Sequence, residues 1–141
     1  MNKKHFSGVQ PIEVKKEGFK GMFARYLWST DDGCRNFAMR LMEFEAGGHT
    51  SYHFHTEDHE FYFLEGEAAY VDGDRKEIRL SPGDTIYCPS DEPHQIKNVG
   101  ATKMKMICTI PILPGGDGKG LAPRKGETDT GYVKAEVPDG C

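Results

Sequence analysis

The sequence predicts an all-β fold, a barrel or sandwich of short strands, and three observations carry that expectation. Gly and Pro, 17 and 8 in number, interrupt the 141 residues too often for long helices. The runs between them are short and rich in aromatic and β-branched residues. No stretch sustains the 3.6-residue apolar period of an amphipathic helix.

Taken in order, the predicted strands cover residues 20–28, 36–45, 50–55, 59–64, 67–71, 76–80, 85–88, 94–98 and 103–110. Within 38–44, Ala38, Arg40, Met42 and Phe44 share the inner face, because Glu43 and Glu45 look outward. Met104, Met106, Cys108 and Ile110 alternate with Lys103, Lys105, Ile107 and Thr109, which makes the first set core filler. Phe61 and Phe63 share the phase of His59, whereas Tyr62 and Leu64 point the other way. Apolar residues on both faces of that strand imply a covered outer face, and a homodimer is the expected cover.

Two turns have a stated mechanism. Asp72-Gly73 suits a type I′ hairpin with positive φ at both central residues. Ser81-Pro82-Gly83-Asp84 suits a type II turn, with Pro fixing φ and Gly in the left-handed position. The tail over 114–126, dense in Gly, Pro and Lys, reads as a loop, and 132–137 as a returning edge strand.

Composition bounds the function. The length fits one domain over residues 1–141, which buries about two-thirds of the surface of the unfolded chain. A formal net charge of −4 with no Lys/Arg stripe argues against a nucleic-acid partner. The N-terminal residues lack the apolar stretch of a signal peptide, and no run reaches the roughly 18 apolar residues of a membrane span. A cytoplasmic protein is expected. Cys34, Cys88, Cys108 and Cys141 are widely spaced and read as reduced thiols.

The chemistry lies in the histidines. His53 and His55 are two apart on a strand and aim at one side, His59 rejoins them after a short bend, and His94 opens another strand beyond a tight turn. Neutral imidazoles one pleat apart can meet a single divalent transition ion. An isolated H-x-H occurs often on solvated hairpins, so the surroundings decide its meaning.

Those surroundings resemble the cupin family. Its first motif, G-x5-H-x-H-x3-4-E-x6-G, is met by Gly47, His53, His55 and Gly66. Its second, G-x5-P-x-G-x2-H-x3-N, is met by Gly83, Pro89, His94 and Asn98, with Asp91 in place of the inner Gly. The resemblance, spanning 47–98, implies a jelly-roll (double-stranded β-helix) barrel. One departure stands out. Counting back from Gly66 puts His59 where the family has a metal-binding Glu, while Glu60 follows in the opposite strand phase. The period-two argument favours a ligand set of His53, His55, His59 and His94. The run His-x-His-x3-His-Glu, with Asn36-Phe37-Ala38-Met39-Arg40 upstream and Cys108-Thr109-Ile110-Pro111 downstream, is similar to small bacterial four-histidine manganese cupins. That similarity implies manganese, with iron, nickel, zinc and copper as alternatives.

Replacing a carboxylate by imidazole leaves the full dipositive charge of the ion, which makes a stronger Lewis acid and attracts anionic or enolisable ligands. Octahedral coordination would leave two adjacent positions open, for a bidentate substrate or for substrate plus dioxygen. The expected activity is an oxygen-using oxidoreductase on a small polar or anionic molecule. The alternatives are a metal-dependent isomerase or decarboxylase, and a non-catalytic module that captures a small ligand through its metal. Arg40 is the candidate catalytic side chain, clamping a substrate carboxylate; the other reading is an Arg at the barrel mouth, paired with an acid or lying across apolar surface with its head in water. Tyr52, Tyr87 and Gln95 are candidates to hold the ligand histidines in place, with surface or core roles favoured for each, and His5 and His49 read as solvent-facing.

Overall fold

Antiparallel pairing between neighbouring runs organises the chain. The computed structural model describes residues 1–118 and the two-residue strand at 133–134. Its strands are β1 (Ile12–Glu13), β2 (Lys20–Trp28), β3 (Phe37–His49), β4 (His53–Phe54), β5 (His59–Glu65), β6 (Ala68–Val71), β7 (Glu77–Leu80), β8 (Thr85–Cys88), β9 (Gln95–Asn98), β10 (Met104–Pro111) and β11 (Val133–Lys134). The ranges expected at 20–28 and 85–88 coincide with β2 and β8. The range 50–55 shrinks to β4, because Thr50 and Ser51 spend their polar groups on neighbouring strands and on His53. β1 has too few residues to show a period, and pairing with β2 alone makes it a strand. Beyond 118, the expected loop lies outside the described residues, as does the expected strand at 132–137 except for β11, which pairs with β4.

The main sheet runs β7-β6-β9-β3-β10-β5-β8, with β2 flanking β3 and β1 flanking β2. It curls on itself, all-β, as a jelly-roll barrel does. Register explains the core. Met104 faces Phe44, Met106 faces Met42, Cys108 faces Arg40 and Ile110 faces Ala38, so the two inward sets read from the sequence oppose each other pair by pair. Across the other edge of β10, Met106 meets Phe63 and Cys108 meets Phe61. All of these side chains are buried, and each large apolar one contributes about 1.5–3 kcal/mol. Glu43 keeps its outward phase but is not exposed, because Arg25 covers it at 2.6 Å and Lys103 approaches to 3.6 Å. Burial pushes its carboxyl up, yet the Arg25 hydrogen bond and charge hold it below the usual range.

The two turns part company. Gly83 takes φ 98° and Asp84 N–H donates to Ser81 C=O at 3.0 Å, as a type II turn requires. The I′ expectation at Asp72-Gly73 is corrected: neither residue has positive φ. The β6–β7 turn spans Asp72 to Arg75, closed by Arg75 N–H to Asp72 C=O at 3.0 Å, with Arg75 itself at φ 62°. The Asp72 carboxylate accepts from Asp74 N–H and Lys76 N–H, and this Asx-type anchoring wins over the two-residue turn.

Candidate metal centre

The four histidines come from three places and meet inside the barrel. His53 in β4 and His94 just before β9 are locked together by a two-hydrogen-bond bridge, His53 N–H to His94 C=O at 3.0 Å and the reverse at 2.8 Å. Thr50 fixes the approach to β4: its N–H donates to Ile96 C=O and its hydroxyl accepts from Ile96 N–H. Gln95, expected at the surface or in the core, is half-buried and donates to Thr50 C=O at 2.8 Å. The loop before His94 is tied back by Asp91 N–H to His55 C=O at 2.9 Å. Asp91, standing where the motif has Gly, adopts φ 63°. That is the left-handed conformation the motif glycine serves, and Asp is one of the few side chains that tolerate it.

His53, His55 and His94 each offer a ring nitrogen, all within 4.8 Å of one another, so the three can hold one ion. His59 stacks on His55 at 4.2 Å between ring centroids and lies 5.5 Å from His94. All four rings are buried. Nδ1–H donates to a main-chain carbonyl in three of them: Ser51 for His53 at 2.9 Å, Glu57 for His55 at 2.8 Å and Glu92 for His94 at 2.8 Å. A carbonyl only accepts, so Nδ1 carries the proton and Nε2 keeps its lone pair. That is the usual orientation of a metal-binding histidine. His59 Nδ1 instead meets the Cys108 sulfur at 3.3 Å.

Burial keeps the rings neutral. It lowers His53 to about 3, helped by His94, and His55 to about 2, helped by His94, His53 and Arg40. His59 is pushed well down by burial and then by His55 and Arg40; His94 is lowered by burial against the pull of its Glu92 hydrogen bond. Neutral imidazoles clustered in a buried site fit a divalent transition ion.

Beside His53, His59 and His94 lies a cavity of about 20 Å³, room for about one water. Phe19, Met22, Met42, Phe61 and Ile96 wall it, and Arg40 is the cation that reaches it. Phe63, in the same strand phase as Phe61, is buried in the core and does not line the cavity. Arg40 is 4 % exposed and its Nη2 donates to Cys108 Sγ at 3.0 Å, so neither sequence reading named its sulfur partner. Glu60 points to solvent, paired across to Tyr87 and Thr109 on the outside of the sheet. Tyr87 is likewise exposed, as expected, and Tyr52 is half-buried under the Arg75 guanidinium, 4.0 Å from its ring. His5 is exposed and His49 half-buried.

Sequence reasoning missed three contributors. The turn Lys16-Glu17-Gly18-Phe19, closed by Phe19 N–H to Lys16 C=O at 3.0 Å, lays the Phe19 ring on His53 at 5.7 Å. Gly18 sits at φ 81°, and a Cβ there would fall 2.7 Å from Ser51 Cβ, so the turn packs directly on the residue that orients His53. Lys16 in this turn is lowered to about 8 by burial and by Arg40, against Asp117. Cys108 was read as filler and Cys88 only as a reduced thiol, yet their sulfurs stand 3.3 Å from Nδ1 of His59 and His94. The inward phase of Cys108 was visible; the contact was not.

A cupin domain model matches residues 40–110, half of the chain, and the chain belongs to the cupin family. An uncharacterised protein of Methanocaldococcus jannaschii is 32 % identical over 63 residues, 45 % of this chain and 50 % of that protein. The chain thus matches about half the length of this curated relative. Among solved structures, the polyketide cyclase RemF from Streptomyces resistomycificus is similar at TM-score 0.74 and 27 % identity, over 86 % of this chain and 92 % of that one. A predicted oxalate decarboxylase from Thermotoga maritima is similar at TM-score 0.69 and 26 % identity, over 77 % and 97 %. A sugar phosphate isomerase of the cupin superfamily from Silicibacter pomeroyi, at TM-score 0.70 and 22 % identity over 80 % and 77 %, shares the fold. Among the described residues, no helix is long and apolar enough to cross a membrane.

Proposed function

We propose that this cupin is a metal-dependent enzyme in which His53, His55, His59 and His94 hold one divalent transition ion and a small anionic or enolisable molecule is the substrate. The observation that carries the reading is the donor set: His53, His55 and His94 offer ring nitrogens within 4.8 Å of one another and the buried His59 ring stacks on His55, while Glu60 faces solvent. When bound, such an ion supplies Lewis-acid polarisation of a substrate oxygen. Around it, Arg40 supplies positive charge for a carboxylate, and the apolar wall of Phe19, Met42, Phe61 and Ile96 excludes water. The family resemblance points to manganese. The all-imidazole donor set suits iron, nickel, zinc and copper at least as well.

Oxygen-using oxidation is the reaction we put first. No carboxylate lines the cavity among the described residues, and the narrow apolar pocket suits a small gas. The second reading is cyclisation or decarboxylation without oxygen, favoured by the 27 % and 26 % identity to a cyclase and a predicted oxalate decarboxylase. The test incubates manganese- or iron-loaded protein with a panel of 2-oxo acids, 2-hydroxy acids and 1,2-dicarbonyl compounds. Oxygen uptake with product is the expected result. Turnover under strict anaerobiosis establishes the second reading, and calorimetric binding without product from any compound makes the chain a binding module. The exposed apolar residues Tyr62, Leu64 and Tyr87 on the outer face support a homodimer through that face.

A further inference from the structure

The cavity beside the histidines has room for about one water, too little for a small organic anion, so a substrate enters only if part of the wall moves. The wall itself shows which part. Of the ten described residues that line it, nine are buried and Phe19 alone is half-buried, which marks the edge nearest solvent. The deep wall is held by strand pairing. His53 and His94 exchange two backbone hydrogen bonds, Thr50 is tied to Ile96 through its N–H and its hydroxyl, and Met42 is paired across to both Ala24 and Met106. Phe19 instead stands in the turn between β1 and β2, outside both strands. The hydrogen bond that closes this turn, Phe19 N–H to Lys16 C=O at 3.0 Å, lies within it, so the turn can move as one piece. Gly18 at φ 81° and Gly21 at φ 56° flank the ring, and β2 shifts register against β3 between Lys20 and Met22. Glycine takes up such backbone angles without steric cost, and hinges fall on loop or strand-end residues of this kind. In the closed position the Phe19 ring lies on His53 at 5.7 Å, and the turn packs on Ser51 with no space for a Cβ at Gly18.

We propose that Phe19 is the gate of the metal centre and a specificity-determining residue: its ring shuts the solvent-side edge of the cavity over His53, and it swings away with its turn to admit ions and ligands. This rests on the reading of the histidine cluster as the functional site. Ligands are then selected by size at the turn before they meet the histidines or Arg40, and access is limited by how often the turn opens.

The first measurement needs no metal. Diethyl pyrocarbonate acylates neutral imidazoles, and peptide mass spectrometry reads the rate ring by ring in metal-free protein at neutral pH. In the wild type the exposed His5 should react fast and the buried His53 slowly. Phe19→Ala should raise the His53 rate about tenfold or more, as for a reaction that proceeds through a local opening, with His5 unchanged. Phe19→Leu should fall between the two, and Ile96→Val, which trims the buried wall, should stay near the wild type. Zinc gives the second measurement, by stopped flow against a fluorescent chelator. A gate alters entry and exit by the same factor, whereas loss of a binding contact acts mainly on release. Phe19→Ala should therefore speed both zinc association and zinc release, and leave the affinity within about threefold. The proposal is overturned if His53 keeps its wild-type acylation rate in Phe19→Ala, or in Phe19→Leu where the alanine variant fails to fold. It is equally overturned if Ile96→Val accelerates the reaction as much, or if zinc is lost through faster release alone. A wild type that binds no zinc removes the metal reading and leaves the acylation rates to decide the gate.

Discussion

Along β5, His59, Phe61 and Phe63 are 5 %, 4 % and 1 % exposed, whereas Tyr62 and Leu64, one residue out of phase, are 49 % and 40 % exposed. The same strand thus meets two environments. On the inner side, burial holds imidazoles neutral beside a cavity with room for about one water. On the outer side, Glu60, Tyr62, Thr85 and Tyr87 border an open groove of about 360 Å³. The contrast shows why the step from the family's Glu to His59 matters: a carboxylate one residue later belongs to the outer face and has no path to the centre without a bulge. Among the described residues β5 and β8 pair without a register shift, from His59 with Cys88 to Tyr62 with Thr85.

The largest expected effect comes from emptying the inner face. Phe63→Ala should lower folding stability by about 3–5 kcal/mol in urea titrations, because the fully buried ring leaves a cavity that the packed sheet cannot close. A loss below about 1 kcal/mol would mean the two faces differ less than their burial implies.

Acid should act on the inner face next. Unfolded histidines titrate near pH 6.5, but His53 and His55 in the folded chain are held down at about 3 and about 2, and His59 and His94 are also lowered. Below pH 6.5 the unfolded chain therefore binds more protons than the folded one. Stability of the metal-free protein should be level from pH 8 to about 7 and then fall as pH drops towards those depressed values. The slope should reach up to about 1.4 kcal/mol per pH unit for each histidine. Bound metal steepens the loss, because protons displace it from the rings. Equal urea midpoints at pH 8 and pH 5 would contradict the neutral, desolvated cluster.

The smallest change in folding stability belongs outside. Tyr62→Ala should cost less than about 0.5 kcal/mol within one chain. It should instead weaken self-association, seen as a shift from dimer to monomer in light scattering. A wild type that is monomeric at high concentration removes the homodimer.

Much of this was legible in the sequence, for physical reasons. Period-two alternation in 38–44 and 103–110 located the inner faces of β3 and β10, because each strand has one side packed on the core. The spacing of His53, His55, His59 and His94 pointed to a shared inner face, and the structure buries all four rings there, with His53, His55 and His94 within reach of one ion. Turn chemistry was half legible: Pro82-Gly83 dictates its conformation, whereas Asp72 had a competing use for its carboxylate as an anchor of the turn. Phe19 and Lys16 gave no signal, because a turn packed over a barrel mouth is positioned by tertiary contacts and not by its own pattern. Cys108 was placed on the correct face but not against His59, since a distance between two strands 49 residues apart is fixed by register.

Metal content tests the central claim most directly. Elemental analysis of protein purified without a histidine tag should find about one divalent transition ion per chain in the wild type and in Glu60→Ala, and little in His53→Ala or His59→Ala. Full metal in His59→Ala together with loss in Glu60→Ala, or a wild type that binds none after reconstitution, would contradict the account.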